Sequence, residues 1–176
     1  MPLNKANHII ESLKEKDKNI TFGNLECWIK EENDYNIYIF SIQLENKSKL
    51  LQVHEELRDY IAIYFQSQFL QKNVERWNIY QFFFIKHKID EVMKQLVEQD
   101  KFSTRKIIHD GFNKELTDQE IISIIDNELF NLTISNRSLA SDAIDAFLVG
   151  KEHDKVISIL GKELTAEEII ETLGNE

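Results

Sequence analysis

Residues 1–110 alternate between strand-like and helix-like spacing of their apolar positions. Residues 20–30 and 35–44 are rich in β-branched and aromatic side chains and are separated by the turn-prone Glu31-Glu32-Asn33-Asp34. This pattern predicts an antiparallel hairpin whose second strand, apolar on both faces, lies in the centre of a sheet. Two further strands are predicted at residues 77–85 and 105–109.

One helix is predicted before these strands and two between them. Residues 7–16 form a short amphipathic helix, interpreted as a lid or an arm, and residues 47–71 have the longest helical pattern, with no Gly or Pro. A third helix at residues 89–99 is predicted to direct four side chains inward, namely Val92, Met93, Leu96 and Val97. The order α, β, β, α, β, α, β predicts an α+β (mixed α/β) fold, with a small mixed sheet of about four strands packed with helices.

After residue 110 the pattern changes to short helices, predicted near residues 117–130, 138–149, 153–160 and 165–173. The first and last of them begin with similar sequences, Lys114-Glu115-Leu116-Thr117-Asp118-Gln119-Glu120 and Lys162-Glu163-Leu164-Thr165-Ala166-Glu167-Glu168. Each sequence contains a capping box, in which the Thr and the Glu three residues later satisfy each other's backbone amides. We interpret this local repeat as convergent helix-start chemistry because a good cap contributes only about 1 kcal/mol.

Charge divides the chain at the same place. The 31 acidic and 21 basic residues give a net charge of −10, and residues 110–176 hold all of the excess, with fifteen acidic and five basic residues. We therefore predict a mixed α/β domain at residues 1–110 and an acidic helical subdomain at residues 111–176. The balance excludes a generally basic nucleic-acid binder, but an acidic tail that mimics DNA remains an alternative.

The chain of 176 residues is long enough to bury one core. No apolar run reaches the ~18 to 20 residues of a membrane span. The first residues lack the apolar stretch and cleavage site of a secretion signal, and the single Cys27 fits a reducing compartment. We therefore predict a cytoplasmic protein with no membrane contact.

Catalytic motifs are almost absent. The five glycines are isolated, so they form no phosphate-binding loop, and no serine lies in a Gly-x-Ser-x-Gly elbow. His54-Glu55-Glu56-Leu57-Arg58 resembles the start of a zincin helix, but Arg58 takes the place of the second histidine. We predict no catalytic, metal or cofactor-binding residues in this chain.

One enzymatic alternative is a Mg²⁺-dependent nuclease that uses Glu45 and Lys47. The sequence Glu45-Asn46-Lys47 has the Glu-x-Lys form of such enzymes, in which carboxylates hold the metal and the lysine orients water. Asp34 lies at the other end of the same predicted strand, eleven residues from Glu45 and so more than roughly 30 Å away in a straight strand; a different acid such as Glu26 or Asp17 would be needed. The alternative interpretation is that these residues only end a strand and begin a helix.

A run of three aromatic residues, Phe82-Phe83-Phe84, invites comparison with base-stacking sheets. Because contiguous strand residues occupy both faces, burial in a central strand explains the run better. A locally basic region follows, diluted by acids and suited at most to a weak phosphate contact; it comprises Lys86, Lys88, Lys94, Lys101, Arg105 and Lys106.

Three segments carry a family resemblance. They are Arg58-Asp59-Tyr60-Ile61-Ala62-Ile63-Tyr64-Phe65-Gln66, then Glu75-Arg76-Trp77-Asn78-Ile79-Tyr80-Gln81-Phe82-Phe83-Phe84, and Glu98-Gln99-Asp100-Lys101-Phe102-Ser103-Thr104-Arg105-Lys106-Ile107-Ile108. Together they resemble the middle component of bacterial three-component ABC-ATPase defence systems. Within that group they are similar to the small accessory subunit of Lamassu-type antiphage systems.

The resemblance implies a non-catalytic subunit that joins an SMC-like, coiled-coil ATPase to an effector, often a nuclease. Such a subunit restrains the effector until phage or plasmid DNA is sensed. ATP and Mg²⁺ would then be cofactors of the partner ATPase, and this chain alone would contact DNA weakly if at all.

An assembly subunit needs contact surfaces, and five residues are our candidates. They are Arg76, Trp77, Lys101, Phe102 and Arg105, drawn from the polar segment after the third helix and from residue types enriched in interface hot spots. Core packing is an equally good explanation for Trp77.

Overall fold

A computed structural model describes residues 2–16 and 22–131. Five helices and five strands are assigned there, with a π-helical segment at Ile61–Gln66. The helices are α1 (Asn7–Lys16), α2 (Lys47–Tyr60), α3 (Asn73–Arg76), α4 (Glu91–Gln99) and α5 (Asp118–Leu129). The strands are β1 (Asn4–Lys5), β2 (Leu25–Glu31), β3 (Asn36–Leu44), β4 (Ile79–Ile85) and β5 (Arg105–Asp110).

The strands form one mixed sheet in the order β1-β2-β3-β4-β5. β2 pairs antiparallel with both β1 and β3, whereas β3, β4 and β5 run parallel to one another. The predicted α+β class, the hairpin and the central position of its second strand are confirmed. The fifth strand is β1, which pairs Asn4 with Ile29 and Lys5 with Trp28 and is too short to leave a pattern in the sequence.

One face of the sheet is covered by α1, α2, the π-helical segment and α4. The interpretation of α1 as a lid or an arm is wrong because Ile9, Ile10 and Leu13 belong to this core. The amide of Cys27 in β2 also donates to the Asn7 side chain at 3.2 Å. α1 is therefore fixed to the sheet through both its apolar side and its first residue.

The register of α4 differs from the prediction. Met93 and Val97 are buried as expected, but Val92 is 76% exposed and Leu96 is 63% exposed. Asp90 caps this helix by accepting a hydrogen bond from the Met93 amide at 3.0 Å. Four inward residues were expected because the apolar stripe is wide, but only two of them meet the sheet.

The predicted helix at residues 47–71 is α2 followed by a change of winding. α2 ends at Tyr60, and the chain continues as the π-helical segment, in which the Ser67 amide donates to the Ala62 carbonyl at 3.2 Å. Phe65 in this segment is buried and packs edge-on against Tyr38 and Phe40 of β3. The pattern of apolar residues predicted a helix but could not indicate the inserted residue of a π turn.

The other face of the sheet is covered by α5. Ile121 and Ile125 of α5, with Leu116 before it, pack against sheet residues that include the buried Trp28, Phe82 and Phe84. Burial of Phe82-Phe83-Phe84 inside the sheet is confirmed, since all three are at most 2% exposed.

The capping box that begins α5 is confirmed: Thr117 accepts from the Glu120 amide, and the Glu120 carboxylate accepts from the Thr117 amide at 2.9 Å. By compactness the chain divides into Met1–Asn131 and Leu132–Glu176, so the first unit continues past the predicted boundary near Asp110. The three other helices predicted after residue 131 lie outside the described residues. None of the described helices is long and apolar enough to cross a membrane.

Candidate functional site

A groove of about 850 Å³ lies at the amino ends of the parallel strands β4 and β5. Its lining comes from the end of the π-helical segment, the residue after α3, the first residues of both strands, the end of α4 and the loop between α4 and β5. This loop, residues 100–104, is called the α4–β5 loop below. Four of the five predicted contact residues line the groove, namely Trp77, Lys101, Phe102 and Arg105.

Two aromatic side chains of this groove are exposed. Trp77 is 77% exposed and Phe102 is 60% exposed, so core packing, the alternative explanation for Trp77, is wrong. Large exposed aromatic side chains are uncommon in surfaces that face only water, and Trp is the residue type most enriched in interface hot spots. The structure therefore brings both predicted aromatics into one cavity, although they are 25 positions apart in the chain.

Two basic side chains of the groove, Lys101 and Arg105, have no acidic partner among the residues that the structure describes. Within residues 2–16 and 22–131, neither Lys101 nor Arg105 forms an ion pair. The Arg105 guanidinium lies 5.8 Å from the ring centre of Tyr80 and approaches the Tyr80 hydroxyl at 3.5 Å. Tyr80 and Arg105 are direct partners in the register of β4 and β5, which explains their contact.

Arg76, the fifth predicted contact residue, has a structural role, because its guanidinium binds the backbone of a neighbouring loop. Its Nε and Nη2 atoms donate to the Leu70 carbonyl at 3.0 and 2.8 Å, which closes the loop before α3. Arg76 does not line the groove, but its own carbonyl accepts from the Gln66 side chain at 2.8 Å. Arg76 therefore helps to fix the backbone next to Trp77.

The α4–β5 loop is held by a buried lysine. Lys106, whose side chain is 1% exposed, donates to the carbonyls of Asp100 and Phe102 at 2.8 and 2.7 Å and lies 3.2 Å from the Asp100 carboxylate. The same carboxylate accepts from Arg58 of α2 at 2.9 Å and from the Phe102 amide at 2.9 Å. The loop thus has little freedom to move away from the groove.

Hydrogen bonds determine the ionisation of Asp100, and they oppose the effect of burial on Lys106. Burial opposes ionisation of Asp100, but the Phe102 amide, Arg58 and Lys106 outweigh it and lower the pKa of Asp100 to about 2. Burial lowers the pKa of Lys106, and the contact with Asp100 opposes that shift. Arg58 also lies 5.3 Å from the ring centre of Phe102, so the network orients this exposed aromatic directly.

Gln66 joins three segments around the groove. Its amide nitrogen donates to the carbonyls of Arg76 and Ser103, and its oxygen accepts from the Ser103 hydroxyl at 3.1 Å. Ser103 has a left-handed backbone with φ of 65°, which turns the α4–β5 loop sharply beside Phe102. Gln66 is the last residue of the π-helical segment, so the altered winding helps to place it.

Sequence reasoning missed Gln66, Tyr80 and Lys106 as parts of this site. Tyr80 could have been found from its place in the first half of a predicted strand, three positions after Trp77. The burial of Lys106 left no signal because a lysine in a charged stretch ordinarily predicts an exposed position.

The predicted basic region does not form one patch. Lys86 and Lys88 follow β4, whereas Lys101 and Arg105 lie at the opposite ends of the parallel strands. Lys94 pairs with Asp110 at 2.8 Å and Lys106 with Asp100. A continuous track for phosphates is therefore not assembled by these residues.

The nuclease candidates lie at that opposite end of the sheet, where Glu45 lines a small cavity of about 130 Å³. Glu45 is 3.2 Å from Lys86 and 3.8 Å from His87, and Lys47 pairs with Asp90 at 2.6 Å. In the part of the chain that the structure describes, no three His, Cys, Asp or Glu side chains are placed to hold a metal ion. The structure thus pairs Glu45 and Lys47 with other partners and not with each other.

A protein-family model matches this chain, whereas comparisons with curated proteins and with solved structures find no match. The family model described as "ABC-three component (ABC-3C) system Middle Component 1" matches residues 36–133, more than half of the chain. This range includes β3, β4, β5, α5 and every residue that lines the groove. The chain therefore belongs to the Middle Component 1 family of ABC-three component systems.

Proposed function

We propose that this chain is a non-catalytic accessory subunit of an antiphage or anti-plasmid defence complex. In this proposal it joins an SMC-like, coiled-coil ABC ATPase to an effector enzyme, often a nuclease, and restrains the effector until foreign DNA is sensed. ATP and Mg²⁺ belong to the ATPase. The role is that of the small accessory subunit in Lamassu-type systems.

The observation that carries the proposal is the groove in a chain of this family. A middle component of a three-component system has other components as partners. Trp77 and Phe102 present exposed aromatic surface on a frame held by Lys106, Asp100 and Gln66. Preorganised aromatic anchors of this kind lower the entropic penalty of association and are typical of protein interfaces.

The environment of the chemically capable residues supports a non-catalytic role. Glu45 lies beside two basic residues, and Asp100 is saturated by donors from Arg58, Lys106 and a backbone amide. Cys27 is buried, and its burial raises the pKa of the thiol, which disfavours the nucleophilic thiolate.

Co-purification separates this proposal from the nuclease. The tagged chain is expressed with the ABC ATPase and the third component of its own system, and the complex is sized and assayed for DNA cleavage with Mg²⁺. We expect a complex of all three components, and we expect the double variant Glu45→Ala with Lys47→Ala to leave both assembly and cleavage unchanged. A chain that purifies alone and cleaves DNA until this double variant is made would refute the proposal.

A further inference from the structure

We propose that the groove at the amino ends of β4 and β5 binds an acidic segment of another component, anchored by one large apolar side chain between Trp77 and Phe102. The inference rests on the proposed function, since it names the chemistry by which an assembly subunit recognises its partner. It adds the kind of segment, the anchoring mode and the residues that select for charge.

The apolar part of the recognition follows from the groove's size and its exposed rings. A cavity of about 850 Å³ is much larger than one side chain needs, and it is open enough to expose most of Trp77 and Phe102. An aromatic or large aliphatic residue buries roughly 150 to 250 Å² when it enters such a site. Transfer of that apolar surface out of water would supply most of the binding free energy.

The charge of the partner follows from the two basic residues without acidic partners. Among the described residues Lys101 and Arg105 line the groove and form no ion pair, whereas Arg58 and Lys106 are already paired with Asp100. Glu98, the one acidic residue of the lining within the described part of the chain, accepts a hydrogen bond from the Ile108 amide at 2.9 Å through one carboxylate oxygen. Carboxylates of the partner, next to its apolar anchor residue, would form ion pairs with Lys101 and Arg105.

Single-stranded nucleic acid fits these observations less well. It would need a basic track along several phosphates as well as stacking rings. Here Lys86 and Lys88 lie at the far ends of the strands, and the chain carries a net charge of −10. Two unpaired cations beside two aromatic rings match a short acidic peptide segment better.

Contacts around the groove hold it in one shape before a partner binds. Lys106 donates to the carbonyls on both sides of Lys101, and the Arg58 guanidinium lies 5.3 Å from the ring centre of Phe102. Gln66 fixes Ser103 to the wall that carries Trp77. Since these contacts exist before binding, a partner segment finds the anchor site already formed.

The test uses the complete three-component assembly with Trp77→p-benzoylphenylalanine, a photo-crosslinking aromatic. After irradiation, mass spectrometry identifies the peptide joined at this position. We expect a peptide of the ATPase or of the third component that has a large apolar residue with Asp or Glu beside it. A crosslink to DNA, to RNA, to a second copy of this chain or to a segment without carboxylates would overturn the inference.

A charge reversal in the same assembly provides the second readout. Lys101→Glu with Arg105→Glu should weaken the affinity for that component ~10-fold or more, because like charges then face each other. The matched pair Lys101→Arg with Arg105→Lys keeps the charge and should bind nearly as wild type. Reversing the partner's acidic residues to Lys should restore binding to the Glu variant.

The outcomes separate the inference from the proposed function. If the wild-type chain binds neither component, the proposed function itself fails. If the wild-type chain binds but the Lys101 and Arg105 charge reversal binds equally well, the acidic segment is refuted while the proposed function stands.

Discussion

Two lysines five positions apart show how the same residue type takes different roles around the groove. Lys106 is buried and donates to two loop carbonyls, whereas Lys101 is exposed and has no ion pair among the described residues. Burial of a charged group is tolerated only where hydrogen bonds and an opposite charge replace water. The first lysine therefore shapes the loop, and the second is free for a partner.

Replacing Lys106 should destabilise the fold. Lys106→Met removes the buried ammonium that donates to the Asp100 and Phe102 carbonyls and pairs with the Asp100 carboxylate, so we expect a loss of about 2 to 3 kcal/mol in the free energy of unfolding. Urea denaturation measures this loss. The control Lys101→Met should change stability by less than about 0.5 kcal/mol because its side chain is exposed. Equal effects of the two variants would show that Lys106 is not the residue that holds the loop.

Asp100 should contribute to acid stability. Its pKa is lowered to about 2 in the folded chain, below the ordinary value near 4, so its stabilisation is present above about pH 4 and is lost as pH falls towards 2. We expect wild type to lose about 2 kcal/mol more over this interval than Asp100→Asn does. Unfolding free energies of both proteins, measured as a function of pH, test this prediction. Parallel curves for the two proteins would contradict the role of Asp100 in acid stability.

Residue types alone predicted part of the groove. Trp77, Phe102 and Arg105 are residue types enriched in interface hot spots, and Lys101 belongs to the polar segment after the third predicted helix; the structure places all four around one cavity. Arg76 was chosen by the same argument, yet it closes a loop on the Leu70 carbonyl. The sequence could not separate these cases because the acceptor for Arg76 is a backbone atom, which no residue pattern identifies.

At the scale of the elements, the π-helical segment determines the position of Gln66. An α-helical continuation of α2 would rotate every later side chain by about 100° per residue inserted or removed. With the π winding, Phe65 packs into the core and Gln66 reaches both Arg76 and Ser103. Such insertions occur frequently at functional sites, and this one lies beside the groove.

Replacing Gln66 should therefore affect stability and the α4–β5 loop more than replacing the nearby Gln68. Gln66→Ala removes hydrogen bonds to two segments, and we expect it to lower the unfolding free energy by about 1 to 2 kcal/mol and to loosen the α4–β5 loop. Amide hydrogen exchange of residues 100–104 measures the loosening. Gln68→Ala, at an exposed position, is the matched control and should leave exchange unchanged; faster exchange in both variants would contradict the role of Gln66.

Most of the elements could be predicted from the sequence, but the side that each helix buries could not always be predicted. Strands β2 to β5, helices α2, α4 and α5 and the cap at Thr117 follow from apolar spacing and local chemistry. The exposure of Val92 and Leu96 does not, because a wide apolar stripe can meet the sheet along only part of its width. The role of α1 was also missed, since ten residues of amphipathic pattern do not show which surface they cover.

For the molecule as a whole, the first compact unit is a sheet with helices on both faces. α1, α2 and α4 cover one face, and α5 covers the other. The charge asymmetry near Asp110 predicted a boundary there, but α5 combines acids on its exposed side with Ile121 and Ile125 on its buried side. Net charge reports the surface of a segment and says little about what its apolar side covers.

Truncating a buried residue of α5 should reveal this packing. Ile125→Ala opens a cavity against the sheet, and we expect a loss of about 3 kcal/mol in a single cooperative unfolding transition. Ser123→Ala, on the exposed side of the same helix, should be nearly neutral. A separate low-stability transition in the Ile125 variant, with the sheet intact, would instead show that α5 folds apart from it.

The central claim is that this chain joins the other components of its system. The most direct measurement is purification of the tagged ABC ATPase from cells that hold the third component, with and without this chain, followed by native mass spectrometry. The account predicts that the third component accompanies the ATPase only when this chain is present, and that Trp77→Ala with Phe102→Ala removes one link while Val92→Ala with Leu96→Ala does not. An ATPase that retains the third component equally well without this chain would contradict the account.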